Sequence, residues 1–270
     1  MPEGHIIHRL AGRLNDDFRG QPLSVSSPQG RFTQEAAVLD GSQIALAETF
    51  GKHLFIDFDV EAPAHIVYIH LGLIGHLRFE PADAHWGQMR LRIETDDQSA
   101  NLRGPQFCRL ITEEERKTIL ARVGEDPIRD DADPDSLWER VHRSRRTIGA
   151  MLMDQSMFAG VGNIYRAEVL FRQGISPFLA GTQLDRAEFD ALWDDLVLLM
   201  RLGVRDGEIN TVRDEHMPET MGRAARDDEH GGEVYVYRRE GEPCYVCGTP
   251  VSFEVMQGRN LFWCSHCQPN

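Results

Sequence analysis

Near its C-terminal end the chain reads Cys244-Tyr-Val-Cys247-Gly-Thr-Pro-Val-Ser-Phe-Glu-Val-Met-Gln-Gly-Arg-Asn-Leu-Phe-Trp-Cys264-Ser-His-Cys267. Two Cys-x2-Cys pairs stand sixteen residues apart, with Pro243 and Gly248 at the turns. Each pair sets two thiolates on one side of a tight turn, and two such knuckles complete a closed tetrahedral zinc site. A closed site leaves no open coordination position, so the zinc expected on Cys244, Cys247, Cys264 and Cys267 is structural. It replaces a core that so short a segment cannot build. His266, inside the second knuckle, is a competitor that four thiolates make unnecessary. The apolar residues Val251, Phe253 and Val255, then Leu261, Phe262 and Trp263, predict a two-stranded ribbon between the knuckles. Its tip, Gln257-Gly258-Arg259-Asn260, offers close backbone approach and a forked cationic donor, the chemistry of a phosphate contact.

Upstream, Gly160-Val161-Gly162-Asn163 joins two helical patterns. A glycine-rich turn opening a helix presents backbone N–H groups to an anion, and Asn163 adds a side-chain donor. The flanking segments are helical. Asp135 or Ser136 caps a helix through Trp138 and Val141. Residues 147–157 carry Ile148, Met151 and Leu152 on one face. Residues 166–172 follow, and 185–202 put Phe189, Leu192, Trp193, Leu196 and Leu199 inward. Residues 205–232 are polar and weakly periodic, a long loop of the kind that carries function or moves. The first part of the chain reads as strands, over 51–59, 64–77 and 89–94, after an opening helix with Ile6, Ile7, Leu10 and Leu14 at helical spacing.

Composition bounds the reading. The chain of 270 residues, 41% hydrophobic, has room for two moderate cores and a small third unit. No run is long and apolar enough to span a bilayer, and no basic-then-apolar leader is present; a cytoplasmic protein is expected. Clustered thiols in such a setting point to metal, with Cys108 a core thiol. The net charge of −14 leans away from nucleic acid. Local fields decide binding, however, and Arg140, Arg143, Arg145, Arg146, Arg166 and Arg172, then Arg238, Arg239 and Arg259, form basic stripes on the acidic body. At the other end, Met1-Pro2-Glu3 offers, once the methionine is removed, a secondary amine beside a carboxylate. An α-amine titrates at roughly 7.7–8.0, so part of it is nucleophilic at neutral pH.

Taken in order, these pieces resemble one family, the formamidopyrimidine-DNA glycosylase and endonuclease VIII family of bacterial base-excision enzymes. The resemblance covers essentially the whole chain. It runs from Met1-Pro2-Glu3-Gly4 through Gly51-Lys52-His53-Leu54, His70-Leu71-Gly72-Leu73, Gly124-Glu125-Asp126-Pro127 and Leu152-Met153-Asp154-Gln155. It continues with the 160–165 turn and Glu168, then Val236-Tyr237-Arg238-Arg239, Gly258-Arg259-Asn260 and the four cysteines. Gly4 and Pro28-Gln29-Gly30-Arg31 are similar to the endonuclease VIII side, in an actinobacterial branch.

The resemblance implies an α+β multidomain fold: an N-terminal β-sandwich (1–123), a helix-two-turns-helix domain with a lesion loop within 210–232 (124–232), and a zinc ribbon (233–270). It implies a bifunctional DNA glycosylase and AP lyase acting on damaged DNA with an everted nucleotide, as a monomer working on the nucleoid, with oxidised pyrimidines as the expected lesions. By that resemblance Pro2 attacks the anomeric carbon to give a Schiff base, and Glu3 protonates the opening sugar before β,δ-elimination. Lys52, Arg259, His70 and Asn163 contact phosphates, and Leu73 fills the gap an everted nucleotide leaves. Arg103, and Phe107 near it, fall where further intercalating residues lie. One departure stands out: His5-Ile6 occupies the place of a Pro-Glu pair, removing a carboxylate and making His5 a substitute proton carrier. Two rival readings follow, an oxidised-purine glycosylase and a DNA-binding protein whose chemistry is weak or lost.

Overall fold

The structure, a computed structural model, describes residues 2–227 and 232–269. The chain divides into two compact units, Met1–Val123 and Gly124–Asn270.

The first unit opens with α1 (Gly4–Asp17), β1 (Ser24–Ser26) and α2 (Thr33–Leu39). Strands β2 (Ile44–Phe50), β3 (His53–Phe58), β4 (Ala64–His70), β5 (His76–Pro81), β6 (Leu91–Glu94), β7 (Gln98–Arg103) and β8 (Phe107–Thr112) follow, then α3 (Glu113–Leu120). They form two antiparallel four-stranded sheets, in the orders β1-β6-β7-β5 and β2-β3-β4-β8. Period-two alternation turns Leu54, Ile56 and Phe58, with Val67 and Ile69, toward one core shared with Leu91, Ile93, Ala100 and Leu102 of the other sheet. Into the same core α1 sends Ile7, Leu10 and Leu14, each at most 9% exposed. Asn15 fastens the helix to β2: its Nδ2 donates to the Ala47 carbonyl at 2.9 Å, and its Oδ1 accepts from the Ala47 N–H at 2.8 Å. Cys108 belongs to this core, and burial pushes its thiol up to about 12, as befits an inert packing group.

The expected single run over 64–77 is two strands in different sheets. Gly72 and Gly75 break it. Gly72 has φ +71°, open to glycine at little cost, and a Cβ at residue 75 would lie 2.3 Å from the Leu71 carbonyl oxygen.

The second unit holds α4 (Pro134–His142), α5 (Ile148–Met151), α6 (Asn163–Arg172), α7 (Arg186–Asp206), α8 (Pro218–Met221) and the hairpin β9 (Ser252–Met256) with β10 (Arg259–Trp263). The cap of α4 is Asp133, two residues before the expected Asp135. Its carboxylate accepts from Ser136 N–H at 3.0 Å, and Pro134 presets the first turn. The helix expected over 147–157 is one turn long, because Asp154 diverts the backbone: its Oδ1 accepts from both the N–H and the hydroxyl of Ser156. By contrast, α7 outruns expectation by four residues and stops at Gly207, whose φ of +83° is a left-handed cap. The ribbon does not stand apart. Cys244, Val251, Phe262 and Cys264 share one core with α4, α6 and α7, and Gln268, 1% exposed, donates to the Ile175 carbonyl at 2.9 Å. Among the described residues no helix is long and apolar enough to cross a membrane.

Candidate active site

The first unit gathers its chemistry at one helix start and two strand turns. Glu3 stands immediately before α1 in an extended conformation, and its carbonyl accepts from the Ile6 N–H at 3.1 Å. Its carboxylate is 3% exposed and caps nothing in the helix, whereas a glutamate at that position ordinarily faces water. Pro2 precedes it, half-buried. Because α1 is locked into the core, Pro2 and Glu3 sit on a rigid mount at the positive end of a helix. His5 follows, 3% exposed. Burial, with His8 and Arg9 adding to it, pulls its imidazole down to about 3. It is therefore neutral at physiological pH and does not stand in for the missing carboxylate as a charged group.

Lys52 occupies the two-residue turn between β2 and β3, with Gly51 at φ +61° and the pair Phe50–His53 closing the hairpin. Its positive charge acts on two imidazoles. Burial, then His70, then Lys52 hold His53 down at about 4, and burial followed by Lys52 lowers His70 against an opposing hydrogen bond from Gln106. The two rings lie 5.2 Å apart, and His53 Nδ1 is 2.9 Å from the Tyr68 hydroxyl. Lys52 and His70, separate motifs in the chain, thus fall side by side through the His53–His70 register of β3 and β4.

After β4, the turn at 71–75 lifts Leu73 to 60% and Ile74 to 83% exposure. The turn is tight: the Leu71 carbonyl accepts from Gly75 N–H at 3.2 Å and from Gln106 N–H at 3.3 Å. Ile74 was not among the residues expected; a large aliphatic side chain so exposed beside Leu73 is the signal that marks it, and only burial reveals it. Arg103, by contrast, is buried and engaged within the first unit. It is 5% exposed, its guanidinium pairs with Glu80 at 2.8 Å and donates to the Trp86 carbonyl, and it stacks 3.8 Å from the Trp86 ring centroid. Those contacts tie β7 to the 82–88 loop. Phe107, at the start of β8 opposite His70, keeps 37% exposure.

In the second unit the 160–163 turn and the ribbon tip come together. Gly160 has φ +83° and Gly162 precedes α6 in extended form. Asn163 Nδ2 donates to the Asn260 carbonyl at 2.8 Å, and the fully buried Arg166 donates to the same oxygen at 2.9 Å while bonding Asn163 Oδ1. Arg259, the neighbour of Asn260, stands exposed at the strand start after Gln257 and Gly258, with φ of +50° and +71°. One carbonyl, gripped by two donors, therefore fixes the arginine tip against the N-terminal turn of α6. Sequence reasoning counted Arg166 only as part of a basic stripe; its role as the bolt of this joint is visible only across ninety-four residues of separation.

Below the joint, Glu168 is fully buried and accepts four hydrogen bonds, from Tyr235, Val236 and Tyr237 N–H groups at 2.7–2.9 Å and from the Thr211 hydroxyl at 2.6 Å. It pins both edges of the loop expected over 210–232, of which residues 228–231 lie outside the described residues. The four cysteine sulfurs lie within 4.8 Å of one another, with Cys247–Cys264 at 3.5 Å and Cys244–Cys267 at 3.9 Å. A zinc ion with bonds of about 2.3 Å demands sulfur spacings near 3.8 Å, so the residues fit the ion. His266 is exposed and outside the cluster. The zinc is structural.

Comparison with known proteins agrees along the whole chain. Residues 1–106 match the formamidopyrimidine-DNA glycosylase N-terminal domain, 123–214 the helix-two-turns-helix domain of the same glycosylase, and 241–270 the zinc finger found in that glycosylase and in isoleucyl-tRNA synthetase. The chain is 46% identical to endonuclease 8 1 of Mycobacterium tuberculosis over 278 residues, covering 99% of this chain and 100% of that one. To endonuclease 8 of Escherichia coli K12 it is 28% identical over 283 residues, with the same coverage. Among solved structures it matches the Lactococcus lactis Fpg in complex with an abasic site containing DNA, at 22% identity and a TM-score of 0.79, over 99% of this chain and 100% of that one. MutM in complex with DNA containing carbocyclic 8-oxo-G gives 22% and 0.78 over the full length of both. With its N-terminal sheet domain, its helical domain and its zinc finger in family order, the chain belongs to the formamidopyrimidine-DNA glycosylase and endonuclease VIII family of base-excision DNA glycosylases with AP lyase activity.

Proposed function

We propose that the protein removes oxidised pyrimidines from DNA and cuts the strand through a covalent intermediate on Pro2. After loss of Met1, the proline nitrogen attacks C1′ of the damaged nucleotide. The glycosidic bond breaks, the base leaves, and the sugar ring opens as its oxygen takes a proton from Glu3. The iminium so formed acidifies the C2′ proton, and successive loss of the 3′ and 5′ phosphates completes β,δ-elimination. Lys52 and His70 in one unit, and Arg259 beside the α6 start in the other, are charged or N–H donors suited to the phosphates flanking the lesion. Asn163 has one amide hydrogen engaged by Asn260, so its part is to hold the tip of Arg259 with a second amide hydrogen left for phosphate. Leu73, with Ile74 beside it, fills the stack vacated by the everted nucleotide.

The observation that carries this reading is Glu3, a carboxylate buried directly after Pro2 at the start of α1 and making no capping bond to that helix. Borohydride trapping tests it, on duplexes with an abasic site, an oxidised pyrimidine or 8-oxoguanine, against a Pro2→Gly control. A covalent adduct with the oxidised pyrimidine, absent in the control, is the expected result. Adduct formed faster with 8-oxoguanine turns the preference to purines. No adduct from methionine-free, zinc-loaded protein that still binds DNA leaves a binding protein without the chemistry.

A further inference from the structure

The outer face of the β2-β3-β4-β8 sheet, turned away from the main core, carries groups that neither chemical step uses. Phe55, Ile66, Tyr68 and Ile111 form a small second core there, roofed by Ile119 and Leu120 at the end of α3. Between this roof and the sheet lies a groove of about 410 Å³, floored by Tyr68, Phe107 and Ile111 and flanked by Arg109 and Arg122. Its volume falls within the roughly 300–1,000 Å³ range of small-ligand sites.

Three observations give the groove a chemistry. Its floor is aromatic: the Phe107 ring lies 6.4 Å from that of Tyr68, within 20° of parallel, and Phe107 is 37% exposed. Its cations are available: Arg109 lies 5.2 Å from the Phe107 ring and acts on the Tyr68 hydroxyl, and among the described residues neither Arg109 nor Arg122 forms an ion pair. In a chain with 43 acidic and 29 basic residues, and with Arg92, Arg103, Arg116 and Arg172 each bound to a carboxylate, two uncommitted guanidinium groups on one groove are a local reversal of sign. The acidic residue on its lining, Glu115, is engaged in the cap of α3, where its Oε2 accepts from Thr112 N–H at 2.9 Å. Finally, the groove is continuous with the phosphate-contact candidates. His70 pairs with Phe107 and Tyr68 with Arg109 across β4 and β8, with the His70 and Phe107 rings 6.3 Å apart. One step along this row is two residues of strand, roughly 6.8 Å.

An exposed ring that faces a groove suits an unstacked base, and arginines beside it suit the phosphates of the same strand. Bases paired in duplex have their faces covered and cannot use such a floor. We propose that this groove binds an unpaired stretch of DNA strand running on from Lys52 and His70, with a base on Phe107 and phosphates at Arg109 and Arg122. The proposal rests on the reading that Lys52 and His70 hold the damaged strand.

The test is fluorescence anisotropy with full-length, zinc-loaded protein and a duplex carrying a tetrahydrofuran abasic analogue. The duplex is made flush-ended, or with a ten-nucleotide single-stranded extension beginning close to the lesion on its 5′ or its 3′ side. One stacked base with its phosphates is worth about a tenfold gain, so one of the two extensions tightens wild-type binding about tenfold. Arg109→Glu with Arg122→Glu removes that gain while flush-duplex affinity and borohydride trapping on a flush abasic duplex stay within twofold of wild type. Wild type that traps the flush duplex and gains nothing from either extension overturns the groove and leaves the repair reading standing. A variant that loses the same factor on flush and extended duplexes also overturns it, since the arginines then act as general charge. Wild type that neither binds nor traps the flush duplex overturns the repair reading and this proposal with it.

Discussion

Glu168 is the residue with the most at stake. A fully buried carboxylate accepting four hydrogen bonds cannot be removed without leaving three backbone N–H groups and a hydroxyl in the dark. Glu168→Ala is expected to cost about 3–5 kcal/mol, seen as a drop in urea midpoint. A loss under 1 kcal/mol would mean that water takes over the donors at no cost. Nothing in the sequence announces this role, since the partners sit 43, 67, 68 and 69 residues away and no local pattern encodes distant backbone donors. Leu73 and Ile74 pose the opposite case. Both project into solvent, so replacing the pair with alanine leaves thermal stability within about 0.5 kcal/mol. The same change is expected to weaken binding to a lesion duplex about tenfold, measured by anisotropy; unchanged binding would remove the wedge from the mechanism. Leu73 could be singled out from its motif, whereas Ile74 needed its exposure to be seen, and Arg103 shows what sequence leaves out: β7 turns it away from the core that holds Ala100 and Leu102, and distant Glu80 and Trp86 cover it.

At the scale of elements, the joint between α6 and the ribbon makes zinc a condition of grip. Without the metal the knuckles have no other covalent tie, the β9–β10 hairpin loses its frame, and the carbonyl of Asn260 drifts from Asn163 and Arg166. Chelation, or Cys247→Ser, is expected to lower affinity for an abasic duplex at least tenfold while the sheets of the first unit, which hold no metal ligand, keep their circular-dichroism signal. Retained affinity at confirmed zinc loss would show that the tip holds its place without the ion. The knuckles, the ribbon strands and α7 could be read from spacing and periodicity because each is encoded within its own segment. The breaks could not. The strand over 64–77 splits at Gly72 and Gly75, which are crowded by Gln106, Gly104 and Pro105 from a distant part of the chain, and the helix after Ile148 ends where Asp154 finds a nearer partner.

For the molecule as a whole, buried imidazoles set an acid limit. His5 and His53 are held neutral, at about 3 and about 4 against 6.5 when free, and His70 is lowered as well. Below pH 6.5 the unfolded chain takes up protons that the native chain refuses, so their contribution is complete above that value and is lost as pH falls toward 4. The loss is of order 3 kcal/mol for each of His5 and His53, with His70 acting in the same direction. Urea midpoints taken at pH 7.5, 6 and 5 should fall steadily; a flat profile would show that these rings are protonated in the folded state. The net charge of −14 was a poor guide to partners for a related reason: most of the charge is paired or scattered, and the surfaces that matter are local.

The bond between Asn163 and Asn260 spans 97 residues of chain, and that span is also an interval of time. A ribosome adding about 5–20 residues each second completes α6 roughly 5–20 s before it delivers the carbonyl that Asn163 and Arg166 will hold. During those seconds the nascent chain already carries Pro2, Glu3 and Lys52 but lacks its anchored arginine tip. On the proposed reading, a repair enzyme assembled in this order makes its reactive end first and its clasp last, so a polypeptide abandoned partway through translation lacks the anchored arginine tip with which to hold a substrate.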